Sequence, residues 1–261
     1  MTIRNFALTY PQLMFQAIES GKSERDLVYL RKAYETAESL FDGLYRGQHV
    51  PFIGHVVRTA SILLVEQASI EVVGAGLLHA AYTVGCFSDF YHGKATDAHR
   101  QEIRQVVGPE TELLIFDYDQ CSWYQKECVQ DHVDHVASYT LHQKNLILMR
   151  LANELEDYLD FGMAYRGTFP FRKKIEDYGD KTIKLAHFLG HWQLANELEQ
   201  VFDAHLSANL PEVVLTNQKT SYQLPALKWL KKSYLEKLQI KGKQFFKNLG
   251  WQKEPQIKEL V

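Results

Sequence analysis

Cysteine, proline and long apolar runs are all scarce in this 261-residue chain, and each scarcity removes a class of protein. The three cysteines, Cys86, Cys121 and Cys128, form no CxxC and cannot all pair. A secreted disulfide framework and a cysteine-only zinc site are therefore not expected. No apolar run approaches the roughly 18 residues of a membrane span. The start, Met1 to Gln12, lacks a charged stretch followed by an apolar signal core, so a cytoplasmic location is expected. GxGxxG, Walker A and G-x-S-x-G patterns are all missing, which leaves no phosphate-cradling loop or nucleophile elbow to build on. The net charge of −3 does not suit sequence-specific binding to nucleic acid.

What is present is an ordinary core-forming composition, 46% hydrophobic, with an uneven charge distribution. Residues 1–210 carry 19 Lys and Arg against 28 Asp and Glu, a net of −9, and residues 211–261 carry 10 against 4, a net of +6. Such asymmetry points to partners better than the total does. Helical periodicity dominates, and the expected fold class is all-α. From Ser23 to Arg46 the apolar positions Leu27, Leu30, Tyr34, Ala37, Phe41 and Leu44 step by three and four, making one buried face. Ser23 with Asp26 three residues later is an N-terminal capping pattern. Further helices are expected over Phe52–Gln67, Ile70–Tyr82, Glu110–Asp119, Cys121–Leu141, Leu146–Phe161, Phe171–Leu189 and Trp192–Ser207. A short helix ends near Val107, residues 83–96 read as a loop, and Gly162 is expected to stop the helix before it. The organisation expected is an N-terminal helix (1–22), a helical core (23–162), helices packed on it (163–210), and a linker with a basic amphipathic tail (211–261). Within that tail, 224–249 is the candidate for meeting an acidic protein or an anionic membrane surface. Self-association is a further candidate.

Two histidines in apolar helical settings carry the most chemistry: His55 in Pro51-Phe52-Ile53-Gly54-His55, and His79 in Ala75-Gly76-Leu77-Leu78-His79. With Gly47-Gln48 before them and Arg150-Leu151-Ala152-Asn153-Glu154 far downstream, the series resembles the HD superfamily. It is most similar to the hydrolase domain of guanosine-tetraphosphate enzymes, with its G-Q-x-R-K, P-Y-I-x-H, A-x-L-L-H-D-x-x-E-D and K-L-A-D-R motifs. That resemblance implies an HD-like helical bundle. It also implies a divalent transition metal, Mn or Fe, for which only His55 and His79 carry over as ligands. The Asp of the His-Asp pair is Ala80, the downstream Asp is Asn153, and the water-activating Glu-Asp pair falls on Thr83 and Val84. Losing two carboxylates weakens such a site, so guanosine-tetraphosphate hydrolysis is not expected. The series Ala75 to Tyr82, Arg100-Gln101-Glu102-Ile103-Arg104 and Gly108-Pro109-Glu110 looks more like an HD-like family that lacks the Asp.

The pocket this resemblance implies has candidate occupants. Tyr82 lies at i+3 from His79, and Asp157 at i+4 from Asn153, so each pair shares a helix face. His79, Tyr82 and Asp157 are the expected acid–base groups. Asn153, Glu154, Arg100 and Arg104 are expected to hold a polar or phosphate-bearing small molecule, with Glu154 or Asp157 also able to restore a metal ligand. His132 with His135, and His187 with His191, have helical metal spacings, but the second pair lacks the glutamate of an HExxH site and Gly190 interrupts its helix. The expected function is an enzyme of unassigned reaction on such a molecule, or a non-catalytic protein that recruits a partner through its basic tail.

Overall fold

The computed structural model describes residues 3–88, 93–166, 169–215 and 220–223. Residues 1–222 form one compact unit. The basic stretch 224–249 lies outside the described residues. The fold is all-α, with one two-residue strand pair. Among the described residues no helix is long and apolar enough to cross a membrane.

Helix α1 (Tyr10–Glu19) precedes α2 (Glu24–Leu40). The Ser23 hydroxyl accepts the Asp26 amide, and the Asp26 carboxylate accepts the Ser23 amide at 3.0 Å, closing the expected capping box. Ser23→Ala is expected to lower the unfolding free energy by about 1 kcal/mol in a urea titration. Helix α2 stops at Leu40 instead of running to Arg46. Gly43 there adopts φ 69°, a left-handed conformation that glycine takes without penalty. It turns the chain into β1 (Leu44–Tyr45), which pairs with β2 (Tyr222–Gln223).

The centre is built by α3 (Phe52–Val65) and α4 (Ile70–Leu78). Both are apolar nearly all round, as a central helix must be when neighbours cover every face. Helix α4 packs on α2, α3, α7 (Pro109–Gln120) and α9 (Leu141–Tyr158). A Cβ on Gly76 would lie 2.5 Å from Leu63 Cδ1 and 3.4 Å from Ala60 Cα, so the missing side chain lets α3 and α4 approach closely. Between α4 and α7 come a short α5 (Ala81–Val84) and α6 (Asp97–Val107). A further helix, α8 (Lys126–His135), precedes α9, and α10 (Phe169–Phe188) with α11 (Trp192–Ser207) flanks α9 on the far side.

Further expected boundaries move. Helix α8 begins at Lys126, and Cys121 to Gln125, which precede it, line the cavity described below. Helix α9 begins earlier, at Leu141 behind a Thr140–Gln143 capping box, and ends at Tyr158. The stop is not Gly162. Leu159 is extended, and Asp160 and Phe161 both take left-handed φ (53° and 57°), with Asp160 paired to Arg58 at 2.7 Å.

Candidate functional site

The expected histidine pair converges. His55 sits in the first turn of α3 and His79 caps the end of α4, and their Nε2 atoms lie 3.2 Å apart. Each is almost completely buried. Burial, aided by His55, pushes His79 down to about 3. Burial and the neighbouring Arg46 hold His55 well below the usual histidine range. Both imidazoles are therefore neutral at pH 7. A neutral imidazole has one N–H and one lone pair, so its partners settle the tautomer. His79 Nδ1–H donates to the Gly76 carbonyl at 2.7 Å, leaving Nε2 as an acceptor. The Arg46 Nη1–H group stands 2.6 Å from His55 Nδ1 and 3.1 Å from its Nε2, so it faces both ring nitrogens.

Arg46 reaches this position from a tight loop. Its amide donates to Val50 O, the His49 amide donates back to Arg46 O, and His49 takes φ 62°. From there the guanidinium meets the inner face of α9: Nη2 lies 2.5 Å from Asp157 Oδ1, and Nη1 3.3 Å from Glu156 Oε2. The Glu156 carboxyl also contacts His55 Nδ1, and burial pushes its pKa up. Asn153 turns its amide toward Asp157, 3.5 Å away, as their i, i+4 spacing predicts.

These residues form one end of a cavity of about 610 Å³. The other walls come from the end of α7 and the segment that follows it, with Tyr118, Cys121, Trp123 and Tyr124, and from Arg150 on α9. Burial raises Tyr118 to about 12, so its phenol stays protonated. Arg150 is 6% exposed. Its guanidinium stacks over the Tyr118 ring at 3.7 Å, and Nη2 donates to the carbonyls of Tyr118 and Cys121. Its Nε is buried without a partner, and no carboxylate among the described residues forms an ion pair with it. Thr83 and Asp119, bonded at 2.8 Å, and Ser221 line the cavity further out.

Of the residues expected from the sequence, His55, His79, Asn153 and Asp157 share this cavity; Tyr82, Glu154, Arg100 and Arg104 do not. Tyr82 is lost because α4 ends at Leu78 and α5 restarts at Ala81, so the i, i+3 relation to His79 fails. Its hydroxyl instead donates to Glu112 Oε1 at 3.0 Å. Arg100 Nε donates to the same carboxylate at 2.6 Å and Arg104 Nε at 2.9 Å. Glu112 is fully buried, and the three together form a clasp joining α5, α6 and α7. Burial opposes its ionisation, yet the hydrogen bonds from Arg100 and Tyr82 hold the carboxyl below its ordinary value. Glu154 lies behind the cavity wall, where the Trp123 indole donates to it at 2.8 Å. Burial and Asp157 raise it to about 7.

The other histidine pairs do not converge. His132 bonds Tyr139 and Ser122, whereas His135 faces Asp131. His191 pairs with Glu66 at 2.6 Å, while His187 packs on Trp192. The string Leu-Ala-Asn-Glu-Leu-Glu at residues 151–156 recurs at 194–199, where Glu197 has a structural role and receives Arg4. The residues missed were Arg46, Glu156 and Arg150 as site members. Glu156 stands at i+3 from Asn153, a signal the helix pattern offered. Arg46 carried none, since only packing brings it to a partner 110 positions away.

The metal set implied by the resemblance does not fit. Ala80 and Asn153 replace its carboxylates, and Arg46 faces both ring nitrogens of His55. His55 and His79 stand within hydrogen-bond distance of each other in this cavity. No curated protein matches the chain. Residues 43–123, which take in Arg46, both histidines and the Glu112 clasp but not α9, match the family model described as Domain of unknown function (DUF6817).

Proposed function

We propose that this is a diverged HD-like protein whose central cavity binds a small molecule bearing a phosphate or carboxylate group. The observation that carries the reading is Arg150. A guanidinium that is nearly buried, with its Nε unpartnered and no ion-paired carboxylate among the described residues, is costly to keep unless an anion completes its surroundings. Tyr118 and Tyr124 beside it offer apolar area and hydroxyl donors, and Trp123 adds apolar wall, the usual make-up of a small-molecule site. The convergence of His55, His79 and Asn153 in one cavity supports the HD-like part of the reading. Proton transfer is less well served. Tyr82 belongs to the Glu112 clasp, Asp157 is held by Arg46, and a histidine with a pKa near 3 is a weak base at neutral pH. Binding is therefore the function this geometry supports best.

Thermal unfolding with pyrophosphate, a nucleoside monophosphate and a dicarboxylate as separate probes tests it. At 100 times its dissociation constant a ligand adds about 2.7 kcal/mol, equivalent to a Tm rise of roughly 5–10 °C for a chain of this size. At least one probe is expected to give a saturable rise in the wild type that Arg150→Met abolishes, and Arg150→Lys weakens. No response to any probe, or a rise that persists in Arg150→Met, would sink the reading.

A further inference from the structure

His55, Glu156 and Asp157 each bring a donor atom to within 4.8 Å of the others, the kind of nitrogen and oxygen set that divalent metals take. Yet the same atoms face Arg46. Its Nη1 is 2.6 Å from His55 Nδ1 and 3.3 Å from Glu156 Oε2, and its Nη2 is 2.5 Å from Asp157 Oδ1. A metal ion bonding these donors at about 2.0–2.2 Å would overlap the guanidinium nitrogens. We propose that the Arg46 guanidinium is the resident cation of this site, standing where its geometry would otherwise hold a divalent metal.

Charge and hydrogen bonding agree with this. The Glu156 and Asp157 side chains are only 6% and 10% exposed, and buried carboxylates need a positive partner. A guanidinium supplies that charge permanently, since it does not deprotonate in proteins, and spreads it over a planar fork. Metal binding needs an open lone pair on histidine. On His55 the Arg46 Nη1 group covers both ring nitrogens, at 2.6 Å from Nδ1 and 3.1 Å from Nε2. The loop that carries Arg46 is closed at both ends by backbone bonds to Val50 and from His49. Tyr222 further braces it, stacking on Tyr45 and bonding His49 at 2.7 Å. The cation is thus covalently part of the chain and held by its fold.

A metal site should appear when this arginine is removed. Co²⁺ can be titrated into the full-length protein and followed by visible absorption and equilibrium dialysis. The wild type is expected to take up no stoichiometric Co²⁺. Arg46→Ala is expected to gain one bound equivalent with visible ligand-field bands, and His55→Ala in that background to lose it. Arg46→Met, which keeps the apolar stem, serves if the alanine variant does not fold. If neither folds alone, refolding with Co²⁺ should restore both, and failure to do so overturns the proposal. Stoichiometric Co²⁺ in the wild type that His55→Ala removes would overturn it too, as would a folded Arg46→Ala that takes up none.

Discussion

Glu112→Ala is expected to cost about 3–5 kcal/mol of stability, the range found when one partner of a buried ion pair is removed. Glu112 is fully buried and collects Tyr82, Arg100 and Arg104 from two other helices. Its loss leaves the Arg100 guanidinium, with a side chain 18% exposed, without its carboxylate. It also leaves the inward-facing Tyr82 hydroxyl without an acceptor. Tyr82→Phe removes one hydrogen bond and should cost only about 1 kcal/mol. Urea titrations of the two variants at pH 7 check the ranking. Because the folded protein holds Glu112 below its ordinary pKa, this stability is present above about pH 4.5 and fades as pH falls through the folded value. The alanine penalty should therefore shrink in acid. A penalty under 1 kcal/mol at pH 7 would show that the clasp is not structural.

The second large effect is acid sensitivity from His79. Its pKa drops from 6.5 in the unfolded chain to about 3 when folded. Between those values the unfolded chain binds the extra proton, so stability falls on acidification by about 1.4 kcal/mol per pH unit. At pH 4.5 the contribution is a loss of roughly 2–3 kcal/mol relative to pH 7. Glu154 acts with the opposite sign. Raised to about 7, it binds its proton in the folded state first, so acidification from 7 toward 4.5 stabilises the protein through it. A wild-type pH profile alone mixes the two, and variants separate them. His79→Gln should show a smaller loss between pH 7 and 4.5 than the wild type, and Glu154→Gln a larger one. Equal losses in the wild type and His79→Gln would mean that His79 does not stay neutral in the folded state.

The pattern of what could be read in the chain follows the range of the forces involved. Helical periodicity is local, so α2, α3, α7, α10 and α11 begin close to where their apolar spacing and capping residues place them. The Ser23–Asp26 box and the Asn153–Asp157 pair are contacts within one helix turn of each other, and both form. Where periodicity was extended past an unseen break, it misled. Treating Ile70 to Tyr82 as one helix put Tyr82 beside His79, but a two-residue interruption at His79 and Ala80 turned it toward Glu112. The series Tyr82, Arg100, Arg104 was visible as a pattern and was assigned to the pocket. The carboxylate it serves lies within the same stretch of sequence, yet nothing in the spacing marked Glu112 as its centre.

By itself, then, the sequence determined an all-helical fold and an inward position for His55 and His79, because α3 and α4 are apolar nearly all round. Only the tertiary structure decided what surrounds them. Arg46 meets Glu156 across 110 residues, and Arg150 lines the cavity with no ion-paired carboxylate among the described residues. Both outcomes depend on which helices pack together. An ion pair is specified by distance in space, and side-chain periodicity carries no information about that distance.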